Sequence, residues 1–481
     1  MNRPKFHFHA NGYWMNDPNG LIEHEGTFHL FYQNNSKSAN WGKIGWGHAI
    51  SSDLISWEVL DPAILPYDDV MIFSGCAVYD EFNLSALGTN NNPPMLAYYT
   101  EAKYEWEGQD KIKMLHQTQC ISYSIDKGMH WLPYKKNPIL DIESSDFRDP
   151  KVFAYDSGWI MAVALSAEHK IRFYRSDDLL SWQYLSDFSV ENMKLGVWEC
   201  PDLFPITLGD ETRWILMFGV SEDGSDSGSK AFYCIGDFNG KTFTVDSESM
   251  GGHLPFRLDY GQDFFASQSF FQLKQRSDQK IMIGWLNNWL YAKKMPVEHS
   301  PCLQSIPREV TLNKENGLFR LHQWPVKELL SRRKAKSAIS DRLLPSSHSE
   351  QLCTGLSSFF DIELEISLGE TTHWQMRLKF SELDFVILSF DALSGTFSLD
   401  RKYCSPDIEG LLPLQEISLP PHSCKLSLRL IFDYSAIEVF LMQGQYVLSS
   451  RVSPQNQECT IEMSTRNEDA KLTRFELWEL Q

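Results

Sequence analysis

The stretch SSDLISW, residues 51–57, recurs along the first half of the chain. It places a serine, an aspartate and a closing tryptophan at nearly fixed offsets. Similar stretches are SIDKGMHW (124–131), SDDLLSW (176–182) and GDFNGKTF (236–243), the last with Phe243 in place of the tryptophan. An aspartate that caps a turn and an aromatic ring that fills the seam to the next unit are typical of a repeated β-hairpin. The pattern predicts a radial array of β-sheets.

The segments around these repeats are short and alternating or β-branched from residue 20 to 320, and no long helical period interrupts them. Examples are GTFHLFYQ (26–33), KVFAYD (151–156), GWIMAVAL (158–165), TRWILMFGV (212–220) and KIMIGWL (280–286). Runs of 5–8 such residues between turn formers predict strands, which leaves a sandwich, a barrel or a propeller. The repeat favours a propeller of four-stranded blades, whose polar central channel is the expected site.

The pattern changes near residues 326–345, VKELLSRRKAKSAISDRLLP, which we interpret as a short helix and linker with a solvated basic cluster. Alternating strands resume after it, from FFDIELEISL (359–368) to AIEVFLM (436–442), and predict a β-sandwich. We therefore expect an all-β chain with a propeller over 1–325, which holds the expected site, a linker with a short helix over 326–345 and a β-sandwich over 346–481.

Composition restricts the class of partner. A formal net charge of −19 repels nucleic acid and anionic membranes but is compatible with a neutral substrate. No apolar run is long enough for a membrane span. The N-terminal stretch lacks an apolar h-region and the nine cysteines show no paired spacing, so we expect a cytoplasmic protein without a signal peptide. The sequence does not distinguish a monomer from a homo-oligomer.

Three acids lie in distinctive sequence motifs: Asp17 in WMNDPNG (14–20), Asp149 in DFRDP (146–150) and Glu199 in VWECPDLF (197–204). Each alone fits a structural role, as a turn initiator, an ion-pair partner or an edge-strand residue. Together they suit glycoside hydrolysis, which needs one protonated and one ionised carboxyl group at the scissile bond. We expect the neighbouring Trp198 to raise the pKa of Glu199 by desolvation and Arg148 to keep Asp149 ionised. A radial fold can bring these three acids, which lie in separate repeats, into one site.

These three motifs resemble the signature segments of glycoside hydrolase family 32, which comprises invertases, exo-inulinases and levanases. Other segments fall in the family's order, namely FHLFYQ (28–33), WGHA (46–49), FSG (73–75), QTQCISYSIDKGMHW (117–131), WLNNWLYA (285–292), SIPRE (305–309) and FDYSAIEVF (432–440). The resemblance implies a five-bladed β-propeller followed by a C-terminal β-sandwich, and a retaining mechanism that needs neither metal nor cofactor.

The resemblance also implies roles for individual residues. Asp17 is then the nucleophile, Glu199 the general acid/base and Asp149 the transition-state stabiliser, with the first two about 5–5.5 Å apart. The positions that match the family's fructose pocket are Asn16, Gln33, Trp41, Phe73, Ser74, Arg148 and Trp285. The expected substrates are sucrose and short fructo-oligosaccharides.

Several alternatives stay open within and outside the family. The enzyme could be an exo-inulinase or levanase acting mainly on fructans, a fructosyltransferase or a sucrose-6-phosphate hydrolase. A non-catalytic carbohydrate-binding propeller is the alternative of another class. The run EHSPCLQSIPRE (298–309) lacks the Trp-Arg pair that commonly precedes SIPRE in the family, which leaves the leaving-group preference open. His7, His9 and His48 have no acid or cysteine at metal-ligand spacing, so we expect them to be structural.

Overall fold

The computed structural model describes residues 3–89, 91–108, 112–191, 193–194, 196–222, 224–248, 250–252, 255–271, 278–295, 302–420 and 424–481. These residues form five antiparallel sheets in chain order, followed by two six-stranded sheets. The first strands of the five sheets contact one another in a closed ring. The fold is thus the predicted five-bladed propeller with a C-terminal β-sandwich. None of its described helices is long and apolar enough to cross a membrane.

Each blade is a meander of four main strands. Blade one has β1 (Trp14–His24), β2 (Thr27–Asn35), β3 (Gly45–Ser51) and β4 (Glu58–Ile64). Blade two has β5 (Val70–Tyr79), β6 (Met95–Trp106), β7 (Ile112–Ser124), β8 (Leu132–Pro133) and an added β9 (Leu140–Ser144). Blade three has β10 (Phe147–Tyr155), β11 (Gly158–Leu165), β12 (Lys170–Ser176) and β13 (Gln183–Phe188). Blade four has β14 (Val197–Leu208), β15 (Glu211–Ser221), β16 (Lys230–Phe238), β17 (Phe243–Val245) and an added β18 (Phe256–Arg257). Blade five has β19 (Phe265–Ser269), β20 (Lys280–Trp285), β21 (Arg308–Glu315) and β22 (Leu318–Pro325).

The repeated stretches connect the third and fourth strands of blades one to four, as the repeat predicted. In the first, the Asp53 carboxylate accepts the amide hydrogens of Ile55 and Ser56 at 2.9 and 2.7 Å and so caps the turn. The closing aromatic packs on the preceding blade rather than the next one. Trp131, for example, meets Phe31 of blade one edge to face at 5.4 Å. The closing aromatic therefore fills a seam between blades, as predicted, but this seam is with the preceding blade and not with the next one.

The sandwich packs two sheets around one apolar core. The first has the order β23-β34-β25-β30-β31-β32 and the second β24-β33-β26-β27-β28-β29. Their bounds are β23 (Arg333–Leu344), β24 (Glu350–Ser357), β25 (Phe359–Ser367), β26 (His373–Lys379), β27 (Phe385–Asp391), β28 (Thr396–Asp400), β29 (Leu414–Ser418), β30 (Lys425–Asp433), β31 (Ala436–Leu441), β32 (Tyr446–Arg451), β33 (Glu458–Arg466) and β34 (Ala470–Leu480). Short 3-10 helices span Ser166–Glu168, Ala292–Lys294, Lys327–Arg332 and Met442–Gly444.

The helix and linker predicted over 326–345 were largely wrong. Only Lys327–Arg332 is helical, as a 3-10 turn, and β23 begins at once and pairs along β34 from Arg333 with Leu480 to Leu344 with Ala470. Lysine, arginine and alanine favour helices, so the local sequence predicted a helix. The pairing with the distant strand β34 is not visible in that local preference. The strand lies at a sheet edge, where exposed charged side chains discourage pairing with another chain.

A buried network of charged groups joins the two domains. Arg308 of β21 donates to Glu438 of β31 at 3.0 Å and to Asp259 at 2.9 Å. The N-terminal segment joins the same network, because the His7 ring nitrogens lie 2.8 Å from Asp433 and 2.9 Å from Glu438. Since both nitrogens face carboxylates, His7 is an imidazolium. The structural role predicted for it is confirmed.

Candidate active site

The first strand of every blade carries a one-residue bulge near one end of the channel. The register slips between Met15 and Pro18, Phe73 and Gly75, Arg148 and Lys151, Glu199 and Asp202, and Phe265 and Gln268. Prolines at three of these bulges, Pro18, Pro150 and Pro201, fit because a bulge releases the backbone from the ladder. A bulge also turns side chains out of the strict alternation. The five strands can therefore direct several polar groups into one space.

Asp17 lies in the bulge of β1 and accepts two short hydrogen bonds. Ser74 Oγ donates to one carboxylate oxygen at 2.6 Å and Asn16 Nδ2 to the other at 3.0 Å. Asn16 is itself oriented by Trp14 Nε1, which donates to its Oδ1 at 2.8 Å. Burial raises the pKa of Asp17, and these hydrogen bonds oppose the rise. The donors therefore favour an ionised carboxylate in a site that disfavours charge.

Asp149 lies in the bulge of β10 with a left-handed backbone, at φ 62°. Its carboxylate accepts the Cys200 amide hydrogen at 2.8 Å, which links blades three and four. Burial raises the pKa of Asp149 to about 6, Arg148 opposes this, and the nearby Asp17 adds to it. Arg148 therefore favours the ionised form of Asp149, as expected, although burial outweighs this single cation and leaves the pKa above its ordinary value.

Glu199 stands at the start of the β14 bulge. Ser221 Oγ donates to it at 2.8 Å and Arg148 Nε lies 3.4 Å from its other oxygen. Burial raises its pKa to about 7, against Arg148 and with the help of Asp149 and Asp17. A carboxyl group near neutrality can give or take a proton at physiological pH.

The burial of Glu199 does not come from Trp198, as the sequence analysis expected. Trp198 is fully buried on the other side of the strand, where its ring stacks on Phe218 at 4.4 Å. Adjacent residues of a strand face opposite sides, so a tryptophan next in sequence cannot cover the glutamate.

The three acids line one cavity of about 320 Å³. Among the described residues it is lined by Asn16, Asp17, Gln33, Trp41, Phe73, Ser74, Met114, Gln117, Asp146, Arg148, Asp149, Val197, Glu199, Ser221, Glu222, Trp289 and Lys293. Every predicted site residue except Trp285 is present. The volume is at the small end of the range for ligand pockets, and the mixture of amides, carboxylates and indoles suits a polyhydroxylated ligand.

Trp285 supports the cavity from behind instead of lining it. Its side chain is fully buried and packs on Trp289 at a ring distance of 4.8 Å. Trp289 stacks on Trp14 at 6.0 Å and reaches the cavity. Both indoles belong to the segment WLNNWLYA, but Trp285 ends strand β20 inside the core. The sequence thus indicated the correct segment, but the indole that lines the cavity is the half-buried Trp289 in the turn after the strand.

Sequence reasoning missed two residues that position the site from other strands and loops. Ser221 at the end of β15 reaches Glu199, and Gln304 Nε2 donates to the Asn16 carbonyl at 2.6 Å. Gln304 belongs to the run that lacks the Trp-Arg pair; residues 298–301 of that run lie outside the described part of the chain. The sequence around Gln304 gave no signal for this role, because nothing local reveals a partner 288 positions away.

Comparison with known proteins gives the same assignment for both domains. The chain matches "Glycosyl hydrolases family 32 N-terminal domain" over residues 7–325 and "Glycosyl hydrolases family 32 C terminal" over residues 326–479. A levanase of Bacillus subtilis is 32% identical over 100% of this chain and 70% of its own length. An extracellular exo-inulinase of Aspergillus awamori is 31% identical over 99% of this chain and 94% of its own.

The similarity extends to solved structures. The crystal structure of exo-inulinase from Aspergillus awamori has a TM-score of 0.90 to this chain at 29% identity, and covers 99% of this chain and 98% of that one. A beta-fructofuranosidase from Schwanniomyces occidentalis, complexed with fructosyl-erythritol, has a TM-score of 0.87 at 26% identity, with 100% and 98% coverage. With both domains matched, the resemblance in the sequence is confirmed: the chain belongs to glycosyl hydrolase family 32 and is a glycoside hydrolase.

Proposed function

We propose that the protein is a retaining β-fructofuranosidase that releases terminal non-reducing β-D-fructofuranosyl units from sucrose and short fructo-oligosaccharides. The observation that carries the proposal is the shared cavity, in which three carboxyl groups with raised pKa values surround one sugar-sized space. The names of the relatives, levanase, exo-inulinase and beta-fructofuranosidase, support fructose as the sugar.

In the first step, protonated Glu199 donates its proton to the glycosidic oxygen as the bond to the anomeric carbon breaks. Asp17 attacks that carbon from the other side and forms a fructosyl ester. In the second step, Glu199 takes a proton from water, whose oxygen attacks the anomeric carbon and displaces Asp17. Two inversions leave the β configuration unchanged. Asp149 accepts hydrogen bonds from sugar hydroxyls and stabilises the positive charge that develops on the ring.

Product stereochemistry tests this mechanism. With sucrose in aqueous methanol, we expect glucose, fructose and methyl β-D-fructofuranoside, identified by NMR; the methyl α-anomer would contradict the retaining mechanism. Methanol is used because the trapped glycoside does not mutarotate. An absence of fructose from every substrate would contradict the function itself.

Substrates with different leaving groups test the role of Glu199. Glu199→Gln cannot protonate the glycosidic oxygen, so kcat/KM for sucrose should fall by at least about 10². An activated aryl β-fructofuranoside, whose leaving group needs little protonation, should lose much less in its fructosylation step. The variant should also lose the basic limb of the pH profile near pH 7, which the raised pKa of Glu199 predicts. Equal losses on both substrates would contradict the acid role.

Sucrose 6-phosphate is the second candidate substrate, because the cavity holds a lysine. Lys293 lies over the rings of Trp41 and Trp289, at 4.5 and 5.6 Å, and Glu222 borders the same space. With a carboxylate nearby and its ammonium over two indoles, the lysine favours a neutral substrate. We expect a higher kcat/KM for sucrose than for its 6-phosphate; the reverse order would assign the enzyme to phosphorylated sugars.

A further inference from the structure

The inner strands of blades three, four and five each carry a buried polar residue directly after the bulge. Regular strand pairing resumes at Lys151 in β10, at Asp202 in β14 and at Gln268 in β19. Lys151 contacts both of the others. We call these three residues the Lys151 network. The mechanism above uses none of them, although Asp149 and Glu199 lie at the bulges that precede two of them.

The Lys151 ammonium has an acceptor for each of its three hydrogens. It lies 3.0 Å from an Asp202 carboxylate oxygen, 3.1 Å from the Gln268 side-chain oxygen and 2.8 Å from the Ser269 carbonyl. The same Asp202 oxygen accepts the Ser269 amide hydrogen at 2.6 Å. An ammonium group donates three hydrogen bonds and accepts none. Lys151 is therefore fully paired, and it joins blades three, four and five.

The ammonium also decides which way the Gln268 amide points. The amide oxygen accepts from Lys151, so the amide nitrogen donates on the other side to the backbone carbonyls of Cys200 and Pro201, at 3.2 and 3.4 Å. The reversed amide would set its NH2 group against the ammonium and its oxygen against two carbonyl oxygens. Each of those contacts pairs two donors or two acceptors, so Lys151 and the carbonyls fix one orientation.

The peptide that Gln268 holds belongs to the bulge of β14, directly after Glu199. Cys200 has φ 51°, a left-handed backbone that is uncommon outside glycine and persists only where surrounding contacts hold it. The Cys200 carbonyl accepts from Gln268, and the Cys200 amide hydrogen goes to the Asp149 carboxylate at 2.8 Å. The direction of this backbone therefore affects both acids.

We propose that Gln268, oriented by Lys151, is a positioning residue for Glu199 and Asp149. By holding the Cys200 carbonyl, it keeps the bulge in the conformation that places the Glu199 carboxyl group at the glycosidic oxygen. The same contact directs the Cys200 amide hydrogen at Asp149. Gln268 does not line the cavity, so it acts on the reaction only through these groups. This role rests on the proposed fructosidase function.

Gln268→Met tests the role, because methionine has a similar volume but neither donates to the carbonyls nor accepts a strong hydrogen bond from Lys151. We expect kcat for sucrose to fall by about 10- to 100-fold, since a displacement of the acids by about 1 Å or less slows the chemical step. KM should stay within about threefold, because the substrate does not contact Gln268. Steady-state kinetics of fructose release measure both constants.

The pH profile gives a readout that a purely structural role would not move. The Cys200 amide hydrogen favours the ionised form of Asp149, so a loosened peptide should raise the pKa of Asp149. The acid limb of kcat/KM should then move to higher pH in Gln268→Met, by about half a pH unit.

Gln323→Met is the matched control. Gln323 in β22 is also a buried amide between a cation and a carbonyl, since it accepts from Arg308 Nη1 at 2.9 Å and donates to the Leu258 carbonyl. It belongs to the network that joins the two domains and does not line the cavity. Gln323→Met should lower the free energy of unfolding in urea about as much as Gln268→Met. Its kcat should stay within about twofold of wild type, and its acid limb should stay in place.

Gln268→Asn covers the case in which Gln268→Met does not fold. Asparagine keeps the amide but is shorter by one methylene, about 1.5 Å, so it cannot contact Lys151 and the Cys200 carbonyl together. We expect the same changes in kcat and in the acid limb as for Gln268→Met, at smaller size.

The outcomes separate the two proposals. If the wild-type enzyme releases fructose from no substrate, the proposed function fails. If it is active and the Gln268 variants lose stability alone, as Gln323→Met does, or change only KM, the positioning role is overturned. A lower kcat with a shifted acid limb in the Gln268 variants, absent from Gln323→Met, supports that role.

Discussion

Glu438 at the junction between the domains and the three acids of the cavity are all buried carboxyl groups, but their pKa values shift in opposite directions. At the junction, Glu438 contacts two cations, Arg308 and His7, and although burial favours the neutral acid these partners hold its pKa to about 2. In the cavity, Asp149 and Glu199 share the charge of Arg148, Asp17 is held by hydrogen-bond donors, and the pKa values of all three acids are raised.

Glu438 is the more deeply buried, with no side-chain exposure against 20% for Glu199, so the difference lies in the cations and donors around each carboxyl group. With two cations as partners, Glu438 stays ionised and adds to stability through them. Where burial outweighs the partners, as at Glu199, the charge costs free energy in the folded state, and that cost leaves the proton available for chemistry. Charge removal should therefore damage activity in one region and stability in the other.

The largest effect is expected from Asp17→Asn. Without the nucleophile, kcat should fall by at least about 10³, roughly 4 kcal/mol in activation free energy. Because burial already disfavours the Asp17 charge, the amide should leave the melting temperature unchanged or raise it. Steady-state kinetics and calorimetry on one preparation check both parts. Near-normal turnover would contradict the nucleophile assignment, and a large loss of stability would contradict the comparison.

Glu438→Gln is the reciprocal change at the junction. It leaves Arg308 and His7 without their shared carboxylate, so the free energy of unfolding should fall by about 3–4 kcal/mol, the lower part of the range for a broken buried ion pair, because an amide oxygen remains. Urea unfolding measures the loss. Below the unfolding transition, kcat/KM for sucrose should stay within about threefold of wild type. Unchanged stability would show that the junction does not depend on this charge.

His7→Ala gives the junction a pH signature. Burial lowers the pKa of His7, but the hydrogen bonds that its ring donates to Asp433 and Glu438 outweigh this effect and raise the pKa from 6.5 to about 9. The imidazolium thus adds about 3 kcal/mol of stability below pH 6.5, which is lost as pH rises through 9.

The difference in unfolding free energy between wild type and His7→Ala should accordingly shrink between pH 6 and pH 9.5. His348→Ala, at an exposed histidine of the sandwich, serves as the control and should show no such dependence. A difference that stays constant across this range would contradict a charged His7 at neutral pH.

Much of the fold could be predicted, because turn chemistry and alternation are local. The repeat at Asp53 and its relatives gave the blades, and the motif acids gave the cavity. Contacts between residues far apart in the chain could not be predicted. The strand at 333–344 depends on pairing with β34, and the choice of Trp289 over Trp285 depends on where β20 ends.

The register of the strands that form the site could not be predicted from the sequence either. The bulges that bring Asp17, Asp149 and Glu199 into one cavity are shifts between paired strands, so they require knowledge of the partner residues. The pKa values likewise depend on burial and on all neighbouring charges. A sequence neighbour such as Arg148 therefore indicated the direction of one contribution to the pKa of Asp149, but not the net shift.

The smallest expected effect concerns Cys200, which lies between two of the acids. Its Sγ is 3.6 Å from a carboxylate oxygen of both Asp17 and Asp149, and its thiol lowers the pKa of each against the stronger effect of burial. Cys200→Ala removes this one weak donor but keeps the backbone amide that donates to Asp149. We expect less than about a tenfold loss of kcat/KM at pH 7, about 1 kcal/mol, as for one weak hydrogen bond.

The same variant should move the acid limb of the kcat/KM profile to higher pH, because the carboxylates lose donors that favour their ionised forms. Cys200→Ser, which retains a hydroxyl donor, is the matched control and should keep the limb close to that of wild type. A limb that stays in place in the alanine variant would show that the amides and hydroxyls around Asp17 and Asp149 suffice without the thiol. Asp149 and Glu199 share Arg148, whereas Glu438 contacts two cations. This difference in cations, and not a shortage of hydrogen-bond donors, would then distinguish the cavity acids from Glu438.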